Sequence, residues 1–167
     1  MKRLTLFRHA KSSWNDPRLP DNERPLSSRG ERDAPAMTAR LAARGERPDL
    51  ILTSHALRAT ATARVIAQGL GCPDDIVRID RRLYLAPPQV LLDVLREQDD
   101  ADHHVLVVGH NPGLTEAANR LLPTLACDNL PTSAVVAIAV DTDRWAELGP
   151  TACRLLYYDY PKNVART

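Results

Sequence analysis

The chain has 167 residues, 22 Lys and Arg against 21 Asp and Glu, a net charge of +1, and 44% hydrophobic residues. That length suits one domain spanning residues 1–167, with a core burying roughly 70% of the unfolded surface. The charge balance argues against a general nucleic-acid binder, which needs a basic excess to release phosphate counterions. No run of about 18 apolar residues marks a membrane span. Cys72, Cys127 and Cys153 are odd in number and widely spaced. They form neither a disulfide framework nor a zinc pattern, and reduced thiols point to the cytoplasm. Only Lys2, Lys11 and Lys162 are lysines. The remaining basic residues are arginines, suited to bidentate anion recognition, although general arginine bias accounts for most of them.

Lys2–Phe7 reads as a strand; Arg8 interrupts the apolar run too early for a signal peptide. Pro17, Pro20 and Pro25 make residues 10–26 a loop. A helix is expected from about Ser28 to Arg44, stopped by Gly45, with Pro35 implying a kink or a late start. Asp49–Thr53 is a buried strand, and Ser54 is placed to cap a helix over about 56–69. Ile76–Ile79 reads as a brief strand and Pro88–Glu97 as a proline-led helix. His104–Val108 is a buried strand. Asn111 then caps a helix with Pro112 at its first position, running to about Leu122. Ala134–Val140 and Arg154–Tyr160 are the last strands. The alternation predicts an α/β fold, a three-layer α/β/α sandwich with a mostly parallel sheet. The final two strands lack a helix between them and make the sheet mixed.

Three strand ends carry unusual residues: Arg8-His9-Ala10, Ser54-His55 leading to Arg58, and Gly109-His110-Asn111-Pro112. In open α/β sheets, ligands bind outside the carboxyl ends of the strands. Two arginines and two histidines can meet there, with helix N-termini adding N–H donors. The implied ligand is a small dianion, most simply phosphate.

These residues, with Lys11-Ser12-Ser13-Trp14, Arg24-Pro25-Leu26, Gly30 and Thr62-Ala63, resemble the histidine phosphatase superfamily, whose fold is that of phosphoglycerate mutase-like proteins. The branch resembled is that of the SixA-type phosphohistidine phosphatases. Ala10 departs from the family's usual glycine. The resemblance implies a phosphatase that needs neither metal nor cofactor, because arginines supply the positive charge. It makes His9 the nucleophile, Arg8 and Arg58 the clamp on the equatorial oxygens, and His110 a further donor. Asn15 and Lys11 are candidates for binding phosphate or substrate; a turn residue and a solvated lysine fit equally well. His55 either lines the pocket or sits at a helix N-terminal surface.

Family members place a glutamate after the third strand to protonate an alcohol leaving group. Here that stretch is Arg81-Arg82-Leu83-Tyr84-Leu85, with Tyr84 near the carboxylate position and no Asp or Glu between Asp80 and Asp93. The expected substrate is therefore a phosphorylated protein carrying phosphohistidine, with inorganic phosphate as product. A small phosphate ester is the alternative, and a non-catalytic phosphate-binding module a third. Cys72 and Arg78 match the spacing of cysteine-dependent phosphatases, but Pro73 lacks an N–H and Asp74-Asp75 would repel an anion. His103-His104 reads as a solvated strand edge rather than a metal site.

Overall fold

The computed structural model describes residues 1–164. The strands are β1 (Lys2–Arg8), β2 (Leu50–Thr53), β3 (Val77–Ile79), β4 (His104–Gly109), β5 (Val135–Val140) and β6 (Cys153–Asp159). The helices are α1 (Ser28–Ala43), α2 (Leu57–Gly69), α3 (Pro88–Arg96) and α4 (Gly113–Leu121). The sheet order is β3-β2-β4-β1-β5-β6. β1, β2, β3 and β4 run parallel, while β5 and β6 pair antiparallel beside β1. This is the expected mixed sheet.

Strand alternation divides the core. Leu4, Leu6, Val105 and Val107 face α3 and α4, together with Leu91, Leu95, Leu114 and Leu121. Phe7, Ile51, Leu106 and Val108 face α1 and α2, together with Met37, Leu41, Ala63 and Ile66. Central strands buried on both faces need apolar residues in succession, and β4 is buried throughout. Truncating Leu106 would cost about 2–5 kcal/mol. No helix is long and apolar enough to cross a membrane.

Some boundaries differ from expectation. α1 starts at Ser28, capped by the Ser27 hydroxyl accepting from Gly30 N–H at 3.1 Å. Pro35 lies within α1 and is exposed, so the carbonyl it leaves unpaired one turn earlier can meet water. There is no late start. Ile76 belongs to a 3-10 turn, Asp74–Ile76, and β3 begins at Val77. Ala56, not Ser54, holds the N-cap position of α2, and no side chain caps it. α4 begins at Gly113 after a cis Asn111–Pro112 bond. Asn111 still serves the helix, because its Oδ1 accepts from the Thr115 N–H at 3.2 Å. His104 is not solvated: it is buried, with Nε2 2.8 Å from Thr5 Oγ1 and 3.3 Å from Glu46 Oε2.

Candidate active site

Register brings the three predicted strand ends together. Arg8 pairs with Gly109 across β1 and β4, and Thr53 pairs with Val108 across β2 and β4. His9 N–H donates to the Gly109 carbonyl at 3.1 Å. Arg8-His9, Ser54 and His110 therefore emerge side by side at the carboxyl edge of the parallel strands.

Close packing holds the surrounding loops. A Cβ on Gly30 would stand 2.1 Å from the Lys11 carbonyl oxygen, so only glycine lets α1 approach the loop after β1 this closely. A Cβ on Gly113 would stand 1.8 Å from the Ala86 carbonyl oxygen, so the start of α4 is pressed against the segment after Tyr84. Ala10 is fully buried, and its N–H donates to Thr62 Oγ1 at 3.1 Å, fixing the loop after β1 to α2. The extra methyl where the family has glycine is thus accommodated in the core.

A pocket of about 290 Å³ opens here, lined among others by Arg8, His9, Lys11, Arg58 and His110. The rings of His9 and His110 lie 5.0 Å apart. His9 Nδ1–H donates to the Ala10 carbonyl at 2.8 Å. That bond fixes the neutral tautomer and leaves the lone pair on Nε2, which Arg58 Nε–H faces at 3.4 Å. Arg8 is held by Nη1–H donating to the Leu130 carbonyl at 2.6 Å. Burial lowers the His9 pKa to about 4, aided by the charges of Arg58, Arg8 and Arg24 and opposed by the bond to Ala10. Burial likewise lowers His110 to about 3, with His9, Arg58 and Arg8 adding to the effect and Asp21 opposing it. Both imidazoles are neutral at pH 7.

His110 Nε2 lies 2.7 Å from Ser54 Oγ. That oxygen also accepts from the Ala56 N–H at 3.3 Å, which leaves the hydroxyl proton free to be donated into Nε2. Ser54 thus sets the orientation of His110 rather than capping a helix.

The structure adds a residue that sequence reading missed. Asp21, in a 3-10 turn (Asp21–Glu23) of the long loop, lies in the pocket wall. Arg58 donates to its Oδ2 at 2.9 Å and to its main-chain carbonyl at 2.7 Å. Arg24 donates to Oδ1 from Nε at 3.3 Å and from Nη2 at 3.0 Å. The Tyr84 hydroxyl donates to Oδ2 as well. Partial burial works against ionisation, yet the bonds from Tyr84, Arg58 and Arg24 hold the carboxyl far below its usual range. Asp21 is an anion clamped between two arginines. The three-residue spacing to Arg24 was the signal that could have pointed to it.

The other expected residues divide. Lys11 lines the pocket. Tyr84 does not line the pocket but touches two residues that do, its hydroxyl on Asp21 and its ring edge-on to His110 at 5.6 Å, and burial together with Asp21 raises the phenol pKa. His55 sits behind Tyr84, ring centroids 5.0 Å apart, and does not line the pocket. Asn15 is exposed and lines a separate groove with Asp16, Leu19 and Glu31. Cys72 is a free thiol, and burial raises its pKa, the opposite of an activated nucleophile.

The chain is similar to several known proteins. Residues 4–83 match the model of the histidine phosphatase superfamily (branch 1). The Mycobacterium tuberculosis protein Rv1276c is 30% identical over 93% of this chain and 100% of its own length. The chloroplastic Arabidopsis thaliana protein At3g52155 is 35% identical over 72% of this chain, which spans only 59% of that relative's length. The crystal structure of a candidate phosphohistidine phosphatase SixA from Agrobacterium tumefaciens superimposes with a TM-score of 0.80 at 25% identity, covering 96% of this chain and 98% of that one. With its strand-end Arg-His and Gly-His pairs meeting in one pocket, the chain belongs to the histidine phosphatase superfamily.

Proposed function

We propose that this chain is a metal-independent phosphatase acting on phosphohistidine in a protein, through a phosphorylated His9. Family membership supports the phosphatase activity. In the proposed reaction, the His9 Nε2 lone pair attacks phosphorus in line and forms a P–N bond. The bond to the leaving group breaks, and its electron pair departs with that group. Water then attacks phosphorus, the His9–P bond breaks, and inorganic phosphate leaves. Arg8 and Arg58 hold the equatorial oxygens. Arg58, whose Nε–H faces Nε2, turns its inner N–H groups to phosphate oxygen. When Arg58 turns from the 3.5 Å contact with His110 Nδ1 and Ser54 donates to Nε2, His110 carries Nδ1–H and donates it to another oxygen.

The observation that carries the substrate class is the ionised Asp21, the single carboxylate among the residues lining the pocket. Clamped far below its usual pKa, it holds no proton to give at neutral pH. An alkyl ester must expel a strongly basic alkoxide and needs that proton. Phosphohistidine with its other ring nitrogen protonated expels neutral imidazole, whose conjugate acid has a pKa of about 6.5. The site suits the second reaction.

The test compares kcat/KM for a phosphohistidine peptide and for phosphate esters of graded leaving-group basicity. We expect a steep fall as basicity rises, with the peptide well above any sugar phosphate. His9→Ala should abolish turnover and acid-labile labelling. A flat dependence with chemistry rate-limiting would refute the substrate assignment and place a small phosphate ester first.

A further inference from the structure

The pocket's mouth carries two exposed apolar side chains. Trp14 is 68% exposed and Leu85 is 53% exposed, and both line the pocket. Neither residue serves the phosphate clamp. Single exposed apolar residues are ordinary, but two at the rim of one polar cavity form a local apolar border.

Trp14 is also fixed in place. The Arg24 guanidinium lies 3.6 Å from the centroid of its ring, covering one face of the indole. Arg24 is itself only 7% exposed, and it is tied to Ser12 Oγ at 2.7 Å and to Asp21. The indole is therefore stacked on a guanidinium that the clamp network already immobilises. Leu85 is held at φ 48°, a left-handed conformation that side chains with a Cβ seldom adopt. It follows Tyr84 directly, whose hydroxyl is anchored on Asp21.

We propose that Trp14 is a specificity-determining residue, a stacking platform for a planar leaving-group ring, with Leu85 adding apolar surface to the same mouth. The ring favoured is a protonated imidazole. The open face of the indole attracts a cationic ring. A sugar or alkyl group gains no such contact. This inference rests on the phosphatase reading and adds what the site recognises beyond the phosphoryl group.

Three substrates separate the effects: phosphoimidazole, phenyl phosphate, and a fluoroalkyl phosphate whose alcohol matches phenol in acidity. Trp14→Ala should raise KM for phosphoimidazole roughly 5- to 30-fold, the scale of one lost ring stack. The rise for phenyl phosphate should be smaller, and for the fluoroalkyl ester below about threefold. The kcat values and the inhibition constant of inorganic phosphate should hold within about twofold, the phosphate clamp being intact. Trp14→Phe should restore most of the loss, and Trp14→Leu should not, because a ring face rather than apolar area is required. An equal rise for all three substrates, or none for the ring substrates, would overturn the platform while phosphate release continued. Absence of turnover of every substrate by the unmodified protein would overturn the phosphatase reading along with it.

Discussion

Acidification gives the sharpest test of the site's electrostatics. On the proposed mechanism His9 attacks only when neutral, and its pKa is lowered from 6.5 to about 4, first by burial and then by Arg58, Arg8 and Arg24. At pH 5 an ordinary imidazole is about 3% neutral and His9 about 90%, a difference of roughly 30-fold in usable nucleophile. Direct titration of the His9 ring by NMR should give a midpoint near 4, and phosphoenzyme formation in a single turnover should fall with the same midpoint. Observing the ring itself separates this ionisation from the substrate's own. Because burial is the largest cause, Arg58→Gln should raise the midpoint only part of the way towards 6.5. The sign of the linked stability follows. Between about pH 6.5 and 4 the unfolded chain binds a proton that the folded His9 does not, so stability falls with falling pH across that window and then levels. Lowering the His9 pKa from 6.5 to about 4 corresponds to about 3 kcal/mol. A His9 midpoint near 6.5 in the folded protein, or stability independent of pH between 7 and 4, would refute the reasoning.

Two substitutions probe the clamp and the proton supply. Arg58→Lys keeps the charge but loses the fork that spans Asp21 and the pocket, and kcat/KM should drop by roughly two to four orders of magnitude; a change below threefold would remove Arg58 from the site, and Cys72→Ser measured beside it should leave activity unchanged. Tyr84→Glu would set a second carboxyl against Asp21, and two carboxylates sharing a site raise the pKa of one; activity on alkyl phosphates should rise selectively, and an unchanged ratio of alkyl to phosphohistidine rates would show that position 84 cannot deliver a proton.

The fold was legible because its signals are local and repeated. Continuous apolar runs marked β1, β2 and β4, and the missing helix between β5 and β6 marked the antiparallel edge. Boundaries were least legible where neighbouring chain competes for a side chain. Ser54 looks like an N-cap in sequence, yet its hydroxyl is drawn to His110, 56 positions away. His104 looks like a solvated strand end, yet Thr5 and Glu46 enclose it. Both are long-range polar contacts, which periodicity does not encode. The meeting of Arg8, His9, Arg58 and His110 was legible because parallel strands align their carboxyl ends. Asn15 and His55 lie outside the pocket because the loop and the start of α2 turn them away.

Asp21 shows what proximity in sequence conceals. Beyond β3, where the resemblance places an acid, Tyr84 stands instead of a carboxylate. The loop before α1 folds across the same pocket and presents a carboxylate from 63 residues earlier, directly to that tyrosine. A carboxylate in the pocket would ordinarily suggest a proton donor. Its partners decide otherwise, since Arg24 and Arg58 each donate to it and the tyrosine proton completes its coordination. An acid must release a proton it holds at working pH, and this group holds none. The same bonds fix the outer edge of the Arg58 guanidinium and leave its Nε–H facing His9. On the proposed mechanism Asp21 therefore orients the clamp and withholds acid catalysis at once, which is why we propose a leaving group that departs without a strong acid.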